Sequence, residues 1–261
     1  MGRSGSPQER GGGPREWDAA AYDALPLPHE RWGRQLLETL PLCGDERVLD
    51  VGAGTGRDTE ALLQRLPRGH VIAVDGSAAM LDRLRQRLAA VGPERLSVLH
   101  ADLREPLALA APVDAVFSVA TLHWLPEHAA LFTSLAAVLR PGGLLRAEWG
   151  GAGDLAGVDA ALTALDLPPV SGALTFAGAD RSAQRLTAAG FVDVRVDLVP
   201  DPVRLQPGAQ LEAFLATVVL GAVLDPLPQA QRSEVVRAVA ARLPEPVVDY
   251  VRLRAAARAP G

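Results

Sequence analysis

Between residues 48 and 147, short apolar runs alternate with segments of helical period. Runs of strand type fall at Val48 to Val51, Val71 to Val74, Leu96 to Leu99, Ala115 to Val119 and Leu144 to Ala147. Between them, as over Ala61 to Leu66 and Met80 to Val91, the apolar residues recur at the spacing that gathers them on one face of a helix. Strand, helix and strand repeated in this order predict right-handed crossovers and an α/β fold whose parallel sheet is covered on both faces. Ahead of the first strand, Trp32, Leu36, Leu37 and Leu40 share one face over Glu30 to Leu40, a leading helix. Pro-Gly-Gly at 141–143 marks a turn between a helix ending near Leu139 and the fifth strand. Farther on, Phe191 to Leu198 and Val247 to Ala255 read as two more strands, with helical segments Gln210 to Leu224 and Gln229 to Leu243 between them. Residues 1–16, MGRSGSPQERGGGPRE, have almost nothing to bury and are expected to be a disordered tail. Gly2 and Ser6 in that tail match a myristoylation spacing by chance. The expected organisation is one domain over 17–261, in which 208–244 forms a helical cap before the last strand.

Composition narrows the picture. A chain of 261 residues that is 48% hydrophobic can bury one sizeable α/β core. Its net charge of −5 offers no basic surface to nucleic acid or an anionic membrane, which points to small-molecule partners. The longest apolar run, around Leu215 to Leu224, is about half of what a bilayer requires, and the N-terminus has no apolar signal-peptide core. Cys43 is the only cysteine, which excludes an internal disulfide and a zinc site built on cysteine pairs. These features predict a soluble cytoplasmic protein. His29, His70, His100, His123 and His128 show no metal-gathering spacing, so no metal is expected. Every basic residue is arginine, lysine and asparagine are absent, and alanine, leucine and glycine abound, as in a GC-rich bacterial genome. The oligomeric state is left open.

The chemistry concentrates in VLDVGAGTGRDT, Val48 to Thr59, where a strand ending in Asp50 runs into three glycines and then a helix. Glycines there let a ligand approach the backbone, and the helix N-terminus offers free N–H groups. A dinucleotide fingerprint would place its third glycine where Arg57 stands; here Gly52, Gly54 and Gly56 alternate instead. Asp75 ends the second strand in VIAVDGSAAML, about 25 residues after Asp50, where an acid can accept hydrogen bonds from both hydroxyls of a ribose. The third strand ends in LHADL, with Asp102, and the fourth runs on into DAVFSVATLHWLPEH. Four strand ends thus line one crevice at the carboxyl edge of the sheet.

These residues together resemble the class I S-adenosylmethionine-dependent methyltransferases, and the likeness runs from Trp17 to the C-terminus. Within that superfamily the chain is similar to the trans-aconitate methyltransferases and related small-molecule enzymes, in ATLHWLPEHAALF, LDPLPQAQRSEVV and VVDYVRLRAAAR. The resemblance implies a Rossmann-like, doubly wound, seven-stranded sheet, mostly parallel with an antiparallel last strand. It implies S-adenosylmethionine as cofactor and S-adenosylhomocysteine as product. By the same resemblance Gly52, Ala53 and Gly54 hold the methionine and ribose parts of the cofactor. Asp75 and Gly76 bind the ribose, Asp102 and Leu103 the adenine, and the backbone near Ser118 and Val119 faces the methionine. Asp50 either ties the turn's own N–H groups or meets the cofactor amine. Arg57 pairs with the cofactor carboxylate or is a solvated arginine. Tyr22 resembles the N-terminal tyrosine that such enzymes bring across the methionine, or it anchors a loop. Ala53 replaces a cysteine common in the motif, and Glu148 and Trp149 match no substrate contact of the family.

For the acceptor, the expected pocket residues are Trp32, His123, Trp124 and Trp149. A carboxylate acceptor arrives ionised and needs no base. A hydroxyl or amine acceptor would want a proton acceptor, for which His123 and His29 are the candidates. The expectation is a small-molecule methyltransferase with carboxylate O-methylation ahead of hydroxyl, amine or carbon methylation. The rival is a protein on the same fold, such as a cyclase, that binds the cofactor without transferring methyl.

Overall fold

A computed structural model describes residues 14–261. Most of the expected tail, including Gly2 and Ser6, lies outside the described residues. In chain order the elements are α1 (Ala19–Asp23), α2 (His29–Glu38), β1 (Arg47–Val51), α3 (Arg57–Arg65), β2 (His70–Asp75), α4 (Ala78–Arg87), β3 (Leu96–His100), β4 (Val113–Val119), α5 (His128–Val138) and β5 (Leu139–Gly150). There follow α6 (Ala156–Thr163), α7 (Ala179–Ala188), β6 (Val192–Pro200), β7 (Val203–Arg204), α8 (Ala209–Phe214), α9 (Gly221–Leu224), α10 (Gln229–Ala240), β8 (Val247–Val248) and β9 (Val251–Arg258).

Seven strands form one sheet in the order β3-β2-β1-β4-β5-β9-β6. The pairs from β3 through β5 are parallel, and β9 runs antiparallel to both neighbours. The sheet is therefore the mostly parallel, doubly wound one that the alternation and the resemblance predict. Its two faces follow from strand periodicity. On β1, Val48 packs with Trp32, Leu36, Leu62 and Leu84 on one side, and Leu49 packs with Phe132 and Leu135 on the other. The leading helix α2 buries Trp32, Leu36 and Leu37, the stripe its spacing predicts.

Several boundaries differ from expectation. Pro-Gly-Gly lies inside β5, where the register with β4 jumps from Val113–Leu139 to Ala115–Leu144. Gly142, at φ 71°, lets the extra residues bulge out without ending the strand. The strand expected over Val247 to Ala255 is two: β8 pairs with β7, and the sheet strand β9 starts at Val251. The chain turns between them at Asp249 and Tyr250, where the Asp249 carboxylate accepts the Gly157 N–H at 2.8 Å. The helix expected from Gln210 to Leu224 is split by a π-helical stretch, Leu215–Val219, closed by the Leu220 N–H donating to the Leu215 carbonyl at 2.8 Å. Glu16, at the end of the expected tail, is exposed but bonded to the domain. The Glu16 carboxylate accepts from the Ser77 hydroxyl at 2.8 Å and the Ala78 N–H at 2.9 Å, which caps the positive N-terminus of α4.

Candidate active site

A cavity of about 380 Å³ opens at the carboxyl ends of the parallel strands. The turn after β1, the ends of β2 and β3, the stretch after β4 and the start of β9 all reach it. Closing one side is an aromatic chain in which Trp17 meets Trp124 and Tyr22 edge-on at 5.0 and 5.8 Å between ring centroids. Tyr22 stacks on His29, and His29 leans on Trp32 at 4.9 Å. The segment before α2 is thereby laid against the loop after β4.

The glycine turn divides its tasks. At Gly52, φ 76°, a Cβ would strike Thr121 Oγ1 at 2.0 Å, so the packing of the two loops against each other requires a glycine here. At Gly54, φ 53°, a Cβ would meet nothing within 4 Å, so the backbone there faces open space. Gly56 begins α3 in a left-handed conformation with no side-chain cap, which leaves the helix's first N–H groups without a side-chain acceptor. The N–H of Gly54 donates to Asp75 Oδ2 at 2.9 Å and that of Ser77 to Oδ1 at 2.8 Å, so the acid at the end of β2 is fixed by the turn it faces. Burial raises the Asp75 carboxyl above the usual range against those bonds.

Tyr22, Trp32, Gly52, Ala53, Gly54, Asp75, Gly76, Asp102, Leu103, Val119, His123, Trp124 and His29 all lie on the cavity wall. Three expected site residues do not. Asp50 is buried beneath the turn, accepts the Thr59 hydroxyl at 2.6 Å and is pushed up to about 7 by burial; it supports the turn from below. Ser118 is buried and donates to the Val51 carbonyl at 2.8 Å, tying β4 to β1. Trp149 is the clearest correction: it sits in the opposite core with Phe132 and His128, because neighbours on a strand face opposite sides and Glu148 takes the side of Arg252 and Arg254. Asp102 reaches the wall but is engaged by Arg104, whose Nε donates to it at 2.9 Å, and that bond lowers its carboxyl. Arg57 lines the cavity and is bound to Asp23 and Glu30, so it is not a solvated arginine.

The two histidines are neutral. Burial, with positive charge from Arg252 nearby, pushes each down to about 3. His29 Nδ1 shares a hydrogen bond of 2.8 Å with the Tyr22 hydroxyl, and His123 Nδ1 accepts the Gly150 N–H at 3.2 Å. Ala120, between β4 and the histidine loop, holds φ 55°, a strained conformation on the cavity wall.

Some wall residues went unnoticed in the sequence. Asp58, one residue into α3, is pushed up to about 8 by burial beside the Asp50 charge. Asp154, after β5, is pushed up to about 7 by burial. Arg252, on β9, is 1% exposed. A signal existed for the last: an arginine at every second position of an apolar strand, Arg252 and Arg254, places two cations on one face. Val218 and Val219 of the π-helical stretch, within the segment 208–244 expected as a cap, also line the cavity. Among the described residues no group of three or more His, Cys, Asp or Glu could hold a metal ion, and no helix is long and apolar enough to cross a membrane.

Residues 48–143 match the family described as a methyltransferase domain. A trans-aconitate 2-methyltransferase of Azoarcus sp. (strain BH72) is 42% identical over 129 residues, 49% of this chain and 49% of that protein. A malonyl-[acyl-carrier protein] O-methyltransferase of Xylella fastidiosa (strain M23) is 37% identical over 130 residues, 49% of this chain and 43% of that protein. The chain thus spans about half the length of the curated relatives it matches. In structure it superposes with a TM-score of 0.61, at 18% identity, on a phosphoethanolamine N-methyltransferase 2 of Haemonchus contortus in complex with phosphomonomethylethanolamine and S-adenosylhomocysteine, over 88% of this chain and 53% of that one. Sequence match and sheet order agree: residues 48–143 match the methyltransferase domain family, and the sheet around them has the mostly parallel, Rossmann-like fold of the solved methyltransferases it superposes on.

Proposed function

We propose that this chain transfers the methyl group of S-adenosylmethionine to a carboxylate of a small-molecule acceptor. The residues present suit the cofactor. The open space at Gly54, the uncapped start of α3 and the Asp75 carboxylate on the wall form a cradle for a ribose and an amino acid part. When bound, S-adenosylmethionine supplies a methyl group activated on a sulfonium.

The chain's own residues then position and protect. Asp75 accepts from ribose hydroxyls with its orientation already set by two backbone N–H groups. Asp102 lies one strand farther out, toward the adenine end. Trp17, Tyr22 and Trp124 exclude water and turn aromatic faces and edges toward a cationic centre. In-line displacement asks for alignment and a dry site, and this wall provides both.

One observation carries the choice of acceptor: both histidines on the wall are held neutral, at about 3, with one ring nitrogen of each already bonded. A group with so low a pKa is a weak base, so it cannot activate an alcohol near neutrality. A carboxylate needs no such help. The relatives named for trans-aconitate and for the malonyl carrier protein lend support from outside the chain. A cytoplasmic setting and a bacterial source accompany this reading, resting on the lone Cys43 and the all-arginine base composition. The test is single-turnover release of S-adenosylhomocysteine on mixing cofactor-loaded protein with carboxylic acids and with their alcohol and amide counterparts. Release with acids alone is expected. Cofactor binding without release for any acid would favour a protein that holds the cofactor and transfers nothing.

A further inference from the structure

Both tyrosines of the chain, Tyr22 and Tyr250, stand on the cavity wall. The Tyr22 hydroxyl shares a hydrogen bond with His29, whereas the Tyr250 hydroxyl makes none among the described residues. Tyr250 is 7% exposed, but its oxygen is not sealed by protein, as both Nη atoms of Arg252 are. What the hydroxyl meets therefore enters from the cavity. A tyrosine so deeply set ordinarily bonds its hydroxyl to a partner, and one left free on a cavity wall is a donor kept for a ligand.

The ring has little freedom. It meets Trp32 edge-on at 5.1 Å between centroids. Its backbone is held on both sides: the Tyr250 N–H donates to the Val248 carbonyl at 3.1 Å, and the Tyr250 carbonyl accepts the Asp201 N–H at 2.8 Å. A second donor is anchored next to it. The Gly151 N–H donates to the carbonyl of Val251, the residue after Tyr250, at 2.9 Å, while the Gly150 N–H holds His123 by its Nδ1. Burial and the nearby Asp154 charge raise the Tyr250 hydroxyl well above the usual phenol value, so it stays a neutral donor in the working range. Asp154 opens on the same strand end, where a Cβ at Gly150 would strike its Oδ2. Burial already pushes Asp154 up to about 7, and an anion arriving there raises it further, so that anion meets a protonated carboxyl.

Neutral donors suit the reaction. Methyl transfer to a carboxylate turns an anion and a sulfonium into a neutral ester and a neutral thioether, so a cation in contact with the reacting group would favour the starting state. One carboxylate oxygen must point along the line of displacement. The other becomes the ester carbonyl, which accepts a hydrogen bond both before and after transfer. The place of Tyr250 agrees with such a contact. Strand β9, which begins at the next residue, lies three positions from β1 in the sheet, about 14 Å at ~4.8 Å per strand. The hydroxyl thus stands away from the glycine turn, at the acceptor end of the cavity.

We propose that the Tyr250 hydroxyl donates to the non-attacking oxygen of the carboxylate that receives the methyl group, and so aims the attacking one. This rests on the carboxylate reading above. The test uses the full chain saturated with S-adenosylhomocysteine and two probes, trans-aconitate and crotonate. In calorimetry Tyr250→Phe should weaken acid binding by about 10- to 100-fold, the range for a hydrogen bond to a charged group. Affinity for S-adenosylhomocysteine should stay within about twofold, because Tyr250 is outside the cofactor cradle. The variant keeps the ring against Trp32, and urea unfolding checks that it is folded. A second measurement reads the contact itself. With two tyrosines in the chain, carbon-13 at tyrosine Cζ gives two resonances, and Tyr250→Phe assigns them. The one it removes should move when either acid is added to the wild type.

Equal acid affinity in wild type and Tyr250→Phe, or a Tyr250 resonance that stays in place, would overturn the assignment. So would a parallel loss of S-adenosylhomocysteine binding, which would make Tyr250 a cofactor residue. If methyl esters still form in those cases, the carboxylate reading stands without it. Tyr250-dependent acid binding with no ester formed from S-adenosylmethionine would instead sink the carboxylate reading and keep the contact. Failure of both acids to bind the wild type would overturn the two together.

Discussion

The Gly150 N–H donates to Nδ1 of His123 at 3.2 Å, and this contact decides what the ring can offer. With Nδ1 accepting, the ring proton belongs on Nε2, so the histidine presents a donor. Burial keeps it neutral down to about pH 3. A donor that does not titrate in the working range can orient an acceptor's carbonyl oxygen and cannot take its proton.

The rate should accordingly be insensitive to this residue's titration. In single turnover with saturating cofactor and acceptor, methyl transfer should be nearly flat from about pH 6 to 9, because a carboxylate is ionised throughout. His123→Gln preserves a donor and should keep most of the rate, with any loss falling on acceptor binding. A loss of about 10²-fold or more, joined to disappearance of an acid limb, would assign His123 as a base.

Asp75 answers for the ribose. Asp75→Ala should weaken S-adenosylmethionine binding by about 2 to 3 kcal/mol, the range for hydrogen bonds to a charged group. The same change frees the N–H groups of Gly54 and Ser77, so circular dichroism must show the variant folded. Unchanged affinity in calorimetry would remove Asp75 from the cofactor site.

How much of this was legible beforehand follows from the range of the forces involved. Alternation of apolar runs is local, so the order of strands and helices and the crevice at their carboxyl ends could be read from Val48 to Ala147. The glycines could be located but not apportioned, since Gly52 is required by Thr121, a partner 69 residues away that only folding brings near. Trp149 went to the far core because strand parity depends on where β5 begins, and the bulge at Pro-Gly-Gly hid that start. Arg57 was legible as a cation at the site, but its partners Asp23 and Glu30 come from a different segment.

The N-terminal segment should behave as a wall of the cavity. Removing residues 1–13 leaves every described contact in place, and cofactor affinity should be unchanged. Removing residues 1–28 takes away Trp17 and Tyr22, together with the Asp23 carboxylate that binds Arg57, Arg83 and Arg87. Tight cofactor binding should then be lost while the far-UV spectrum keeps the sheet. Equal affinity in the two truncations would contradict a closing role.

Acid should weaken the fold through His29. Its value drops from 6.5 to about 3 on folding because burial disfavours the charged ring. Between those limits the unfolded chain binds a proton that the native chain refuses. The contribution is therefore present above pH 6.5 and lost as pH falls toward 3. Asp50 and Asp58, raised to about 7 and 8, act with opposite sign, so total stability mixes the two. The informative quantity is the difference between wild type and His29→Gln in urea unfolding at pH 7, 6 and 5. The wild type's stability relative to the variant should decline with each step of acidification, whereas a constant difference would place a protonated His29 in the native state.

The most direct measurement follows the methyl group itself. Protein, S-adenosylmethionine labelled in the methyl group, and trans-aconitate or another carboxylic acid are incubated, and the product is treated with mild base. The account predicts one label per S-adenosylhomocysteine formed, released as methanol because a carboxylate ester hydrolyses. Label that resists base, as in an ether, amine or carbon-bound methyl, or no label in the acceptor at all, would contradict it.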